Sequence, residues 1–278
     1  MKRLIKDAVD NSSDIQYLKE YENPPVGEIT IFFQFPRASS LAPFQLASKA
    51  KEMADVLGGA VIDSHVMPPQ FETSKSENMI ELGIGRPPPE AAFILFDEMR
   101  TYRIHMQADR FGVTWVRKSG EAYPRFEAVL KSFLDRFDEF QGCLGEALTI
   151  SQSELQYVNL IPDDDQKALS YFRFMDLVFF QKYEGISFGT SQRLDDQNEV
   201  GRLYLEAQSQ QRVIEASGVQ EFRKFLNVFL TFRGKPSQPG INGAVKHLER
   251  GRFAIVKTFE QSLSDEGRKY FGEKGRTE

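Results

Sequence analysis

A nine-residue phrase occurs twice in this chain, as Glu28-Ile29-Thr30-Ile31-Phe32-Phe33-Gln34-Phe35-Pro36 and as Glu154-Leu155-Gln156-Tyr157-Val158-Asn159-Leu160-Ile161-Pro162. Both copies read Glu, aliphatic, polar, large apolar, apolar, two variable positions, large apolar, Pro. Each reads as a β-strand closed by proline, which has no N–H to give a sheet ladder. Recurrence at this length points to one unit built twice.

The residues around each copy extend the pattern. Residues 1–25 are weakly patterned and hold two breaker clusters, Asn11-Ser12-Ser13-Asp14 and Asn23-Pro24-Pro25, so they read as an N-terminal arm or a short helix with loops. After a strand over Val26–Phe35, Pro43 starts a helix with Phe44, Ala47, Ala50, Met53, Ala54 and Leu57 at helical spacing, stopped by Gly58-Gly59. Ala60–Phe71 holds Val61, Ile62 and Val66 and is a further strand candidate, and Ser74–Glu90 reads as loop. Short strands over Ala91–Phe96, Thr101–Gln107 and Phe111–Arg117 form an antiparallel meander. A helix from Tyr123 to Gln141 follows, its stripe Phe126, Val129, Leu130, Phe133, Leu134, Phe137 and Phe140.

The second half repeats this order. A helix over Lys167–Phe180, capped by Asp163-Asp164-Asp165, follows the second phrase. Strands come over Ile186–Leu194, Leu203–Ile214 and Glu221–Arg233. The last helix carries Ile241, Val245, Leu248, Ile255, Val256, Phe259 and Leu263. The expected fold is therefore α+β: a first unit at 26–144, a second at 145–272 and a tail at 273–278. The two strand–helix–meander–helix units share one curved sheet with helices on one side.

Composition excludes several classes. With 278 residues and 41% hydrophobic content, the chain is long enough for about two domains of ~150 residues. No apolar run reaches the roughly 18 residues of a membrane span. The basic start, Met1-Lys2-Arg3, has no apolar segment behind it, so no signal peptide is expected. One cysteine, Cys143, excludes an internal disulfide and a cysteine-built zinc site, and points to the cytoplasm. A net charge of −5 and a pI near 5.5 weigh against nonspecific binding to nucleic acid or anionic membrane. The 24 phenylalanines read either as core filling or as an aromatic-lined binding surface.

Motifs with chemical meaning are sparse. His65, His105 and His247 fit no metal-ligand spacing, so no metal is expected. Asp163-Asp164-Asp165-Gln166-Lys167 has a nuclease-like Asp-x-Lys, but the helix-cap reading needs no second acidic strand. Gly83-Ile84-Gly85 has neither the third glycine nor the strand–turn–helix context of a dinucleotide loop, so no cofactor is expected. The final strand is more informative. Leu226, Val228, Leu230 and Phe232 form one face. Arg223, Phe225, Asn227, Phe229, Thr231 and Arg233 form the other, which reads as a stacking or partner-binding surface. Arg103, His105, Arg193, Arg202 and Tyr204 stand on neighbouring strands and extend it. The alternative is that this face is covered by the other half, the N-terminal arm or a second subunit. Asn159, a polar residue in the row of Leu155, Tyr157 and Ile161, is a further candidate.

Val26–Pro36, Tyr123-Pro124-Arg125-Phe126-Glu127, Leu155–Pro162 and the last helix, in this order, resemble a sporadically distributed family of bacterial and archaeal proteins of similar length and unknown function. The strongest marker is Tyr157-Val158-Asn159-Leu160-Ile161-Pro162. Gln156 stands where the family pattern has arginine, and Phe126 where it has tryptophan. The resemblance implies no activity, cofactor or catalytic residue, and its patchy distribution is compatible with mobile elements and host-defence loci. The sequence thus leads to a non-catalytic binding or assembly protein, whose partner is another protein or a second copy of the chain. The first alternative is a nucleic-acid-binding accessory of a phage-defence or toxin–antitoxin locus. The second is an enzyme whose site is not visible in sequence.

Overall fold

The computed structural model describes residues 21–37, 42–68, 70, 72, 91–118, 121–144, 147–163, 167–173, 187–195, 200–216 and 219–273. Nine strands form one open sheet in the order β2-β3-β4-β5-β1-β6-β9-β8-β7, with every neighbouring pair antiparallel. They are β1 (Val26–Gln34), β2 (Ala60–Ser64), β3 (Ala92–Phe96), β4 (Tyr102–Gln107), β5 (Arg110–Val116), β6 (Gln152–Pro162), β7 (Ser187–Arg193), β8 (Val200–Ala216) and β9 (Val219–Lys235). The class is α+β.

Both copies of the repeated phrase are strands, and they pair with each other at the middle of the sheet. Thr30 lies opposite Gln156, the residue at the same place in the other copy. Alternation then sorts β1 into two faces. Ile29, Ile31 and Phe33 are fully buried on one. Glu28, Thr30, Phe32 and Gln34 lie on the other.

Among the described residues, four helices accompany the sheet. In α1 (Pro43–Leu57), proline occupies the first turn and Gly58 ends the helix at φ 64°. Leu46, Ala50, Met53 and Ala54 are buried, and the helix contacts β2, β3 and β4. The predicted stripe of α2 (Arg125–Leu144) is buried throughout, and Phe33 meets Phe133 and Phe137 edge-on at 4.7 and 5.1 Å. α3 (Ile241–Ser262) packs on β6, β8 and β9. The short α4 (Asp265–Tyr270) is capped by Ser264, whose hydroxyl accepts from Gly267 N–H.

The structure differs from expectation in two places. Where a helix is predicted from Lys167, the described residues form only a 3-10 turn, Ala168–Tyr171. Asp163 accepts the Ala168 N–H as expected, but Phe172 leaves for a bridge to Leu263 and is 2% exposed there. That bridge also ends α3 one residue before Leu263. Residues 174–180, Asp164, Asp165, 1–20, Gly83-Ile84-Gly85 and the loop over 74–90 lie outside the described residues.

Candidate functional site: the polar face of the sheet

β9 divides as its alternation predicts. Leu226, Val228, Leu230 and Phe232 are at most 2% exposed. On the other face Arg223 is exposed, Phe225, Phe229 and Arg233 are half-buried, and Asn227 is fully buried, its Nδ2 donating to Gln210 Oε1 at 2.7 Å. β8 and β9 pair to their ends at Ala216 and Val219. β6 pairs with β9 only as far as Phe225, and β7 with β8 only as far as Gln208. Among the described residues, Ser209–Ala216 and Val219–Lys224 therefore project as a two-stranded ribbon. Eight residues of strand make it about 25 Å long.

Phe222 sits on this ribbon and is 72% exposed, between Glu221 and Arg223. It has the same alternation as Leu226 and Val228. It escapes burial because the ribbon continues past the strands that flank the rest of β9. Phe222 and the exposed Lys224 are the binding candidates that sequence reasoning missed.

Arg103 and His105 share the polar face, but they lie on β4, with β5, β1 and β6 between them and β9. Four strand spacings are about 19 Å, so the predicted residues form two groups rather than one. His105 Nε2 lies 3.2 Å from Thr114 Oγ1, which is 2.9 Å from Thr30 Oγ1. Burial, with Arg103 and Arg110 adding to it, lowers the His105 pKa to about 4. Arg103 pairs with Glu28 at 2.8 Å. Asn159 belongs to the opposite face. It is 3% exposed and donates to Val228 O at 3.2 Å, which satisfies its amide nitrogen within the sheet.

Part of the polar face is covered, and at the Arg233 end of β9 the cover comes from the other half of the chain, one of the three expected covers. The segment after β2 crosses it as a strap. Gln107 Nε2 donates to Met67 O at 2.8 Å while Met67 N donates to Gln107 Oε1 at 2.9 Å. Gln34 holds Gln70 in the same way, at 2.7 and 3.1 Å. Arg110 Nη2 reaches Pro68 O at 3.3 Å, and Gln152 Nε2 reaches Glu72 O at 3.5 Å. The Glu72 carboxylate accepts from Tyr204 OH and lies 3.3 Å from Arg233 Nε and 3.0 Å from Arg202 Nε. Arg233 also reaches Glu154 at 3.2 Å. Burial disfavours the Arg233 cation, but Glu154, Tyr204 and Glu72 outweigh it and raise its pKa. Burial, then Glu72, raises that of Tyr204.

One nucleophile–base geometry occurs elsewhere. Ser153 Oγ lies 2.7 Å from His247 Nδ1, and His247 Nε2 lies 3.2 Å from Val200 O. A carbonyl only accepts, so Nε2 carries the proton and Nδ1 accepts from the serine hydroxyl. Ser153 and His247 are 1% and 0% exposed, which closes this pair to any substrate. Among the described residues, no three of His, Cys, Asp and Glu are grouped to hold a metal ion, and no helix is long and apolar enough to cross a membrane. No protein-family model matches the chain, and no curated protein matches it.

Proposed function

We propose that the chain is a binding protein, built of two equivalent units, that holds a macromolecular partner at the outer end of β9. The exposure of Phe222 carries this reading. A 72% exposed phenylalanine on one face of a projecting ribbon, beside Lys224, with Arg223 and the half-buried Phe225 and Phe229 on the opposite face, offers an apolar anchor with a charged rim. The anchor and rim fit a protein partner better than a phosphate backbone, because Glu221 lies within them and the whole chain is acidic. A single cysteine fits a cytoplasmic setting.

The sheet order supports the duplication. With Thr30 as counterpart of Gln156, the order β1-β5-β4-β3 runs outward in one unit as β6-β9-β8-β7 does in the other. Thr114 then corresponds to Thr231, and equivalent bonds join the equivalent strands: Thr30 to Thr114 at 2.9 Å, and Gln156 Nε2 to Thr231 Oγ1 at 2.9 Å. β2 and the strap are additions to the first unit. Phe33 against α2, Ser153 against α3, and the α1 contacts with β3 and β4 support helices on one side of the sheet. Membership of the patchily distributed family remains part of this proposal, carried by Tyr157–Pro162.

The test is a quantitative pull-down from the native host. A tagged chain with Phe222→Ala, Phe225→Ala and Phe229→Ala is expected to keep its circular dichroism and lose the proteins retained by wild type. A folded variant that retains the same proteins overturns the reading. A mobility shift with nucleic acid that weakens with salt would favour the nucleic-acid alternative instead.

A further inference from the structure

The strap lies on the sheet as a bound peptide lies on a receptor. Gln107, Arg110, Gln34 and Gln152 are direct cross-strand neighbours on β4, β5, β1 and β6, and together make one polar row at one end of the strands. Three strand spacings separate the first from the last, about 14 Å, and five residues of extended chain cover about 16 Å. Met67, Pro68, Gln70 and Glu72 cross the row in turn, bonded to Gln107, Arg110, Gln34 and Gln152.

The contacts read the strap in a way that depends little on its side chains. Gln107 and Gln34 each give both ends of a side-chain amide to the backbone of one strap residue, Met67 and Gln70. Such a pair of bonds fits any extended segment that places a free N–H and C=O there. Glu72 is the exception, since its carboxylate is recognised by Arg202, Arg233 and Tyr204.

Burial separates receptor from ligand. Gln107, Arg110, Gln34 and Gln152 are 2–5% exposed, whereas Pro68 and Gln70 above them are exposed. Two buried polar atoms in the row, Arg110 Nε and Gln152 Oε1, have no hydrogen-bond partner beneath the strap. The strap therefore does not exhaust what the row offers.

We propose that this row, with the Arg202–Arg233–Tyr204 cage at its end, is a binding site for an extended acidic peptide, and that Met67–Glu72 occupies it as an internal ligand. The row fixes an extended backbone, and the cage requires a carboxylate two residues beyond the one that Gln34 holds. An internal ligand on a short tether competes at an effective concentration on the order of 1 mM. A peptide supplied in trans therefore binds weakly until the strap is released. The site lies on the sheet face of Phe225 and Phe229, opposite that of Phe222, and includes none of these three residues.

The experiment uses the full chain and a fluorescein-labelled, end-capped peptide of sequence Met-Pro-Pro-Gln-Phe-Glu, followed by anisotropy. Two variants release the strap: Glu72→Ala, and replacement of residues 67–72 by six glycines and serines. Both are expected to bind the peptide at least about tenfold more tightly than wild type, a difference of about 1.4 kcal/mol. Changing the final Glu of the peptide to Ala, or adding Arg202→Ala to Glu72→Ala, is expected to remove that gain. A folded strap-replaced chain that binds no tighter than wild type overturns the proposal, as does a gain indifferent to the peptide carboxylate. If the strap-replaced chain does not fold, Glu72→Ala decides on the same criteria. All these variants keep Phe222, Phe225 and Phe229, so failure here leaves the partner surface standing.

Discussion

His247 joins α3 to β6 through Ser153 and to β8 through the Val200 carbonyl, and its ring lies 4.8 Å from that of Phe232. Burial lowers its pKa to about 4, with the Val200 bond opposing the shift and Arg250 adding to it. The folded value lies below the ordinary 6.5, so the folded ring refuses a proton that the unfolded chain accepts. Its contribution is complete above about pH 6.5 and is lost as pH falls toward 4, at up to about 1.4 kcal/mol per pH unit. Glu249 works against it. Burial raises that carboxyl to about 7, so acid favours the fold there. The difference between wild type and His247→Gln isolates the histidine: urea unfolding between pH 7 and 5 is expected to give the variant a shallower loss of stability. Parallel pH profiles would contradict this. None of it was legible in sequence, where His247 is a lone histidine on an apolar helix. The serine that its Nδ1 accepts from is 94 positions away.

At the scale of elements, local patterns were read best. The boundaries of α1 follow from Pro43 and Gly58, and the α2 stripe from its 3.6-residue period. The lapses came where tertiary contacts override local preference. Phe172 bridges Leu263, where the described residues 167–173 hold a 3-10 turn and α3 ends, and Phe222 keeps the core alternation on a ribbon that outruns the described flanking strands. The strap was illegible for another reason: glutamine side chains that hold backbone leave no period in either partner. Two glycines test the packing of the helices. A methyl group at Gly251 of α3 would stand 2.4 Å from Phe232 Cδ1, inside the core, whereas one at Gly142 of α2 meets nothing within 4 Å. Gly251→Ala is expected to lower stability by about 1–3 kcal/mol. Gly142→Ala is expected to raise it by about 0.5–1 kcal/mol, through helix propensity alone. Urea midpoints of the two variants should move in opposite directions, and a shift in the same direction contradicts the packing described.

For the molecule as a whole, the repeated phrase anticipated two strands but not that they would pair with each other. Their pairing at Thr30 and Gln156 makes one nine-stranded sheet of both halves. It also sets the polar faces of both halves side by side, so that a strap from the first reaches Arg202 and Arg233 of the second. Arg103 and His105 share a face with Arg223–Arg233, which sequence parity reports. The four strand spacings between them depend on strand order, which parity does not report. The outer end of β9 is proposed to meet a partner. This is tested most directly by hydrogen–deuterium exchange on the complex recovered from native cells, compared with the isolated chain. The prediction is that protection on binding concentrates at 219–229 and on the facing part of β8. Protection confined to the helices, with 219–229 unchanged, would contradict it.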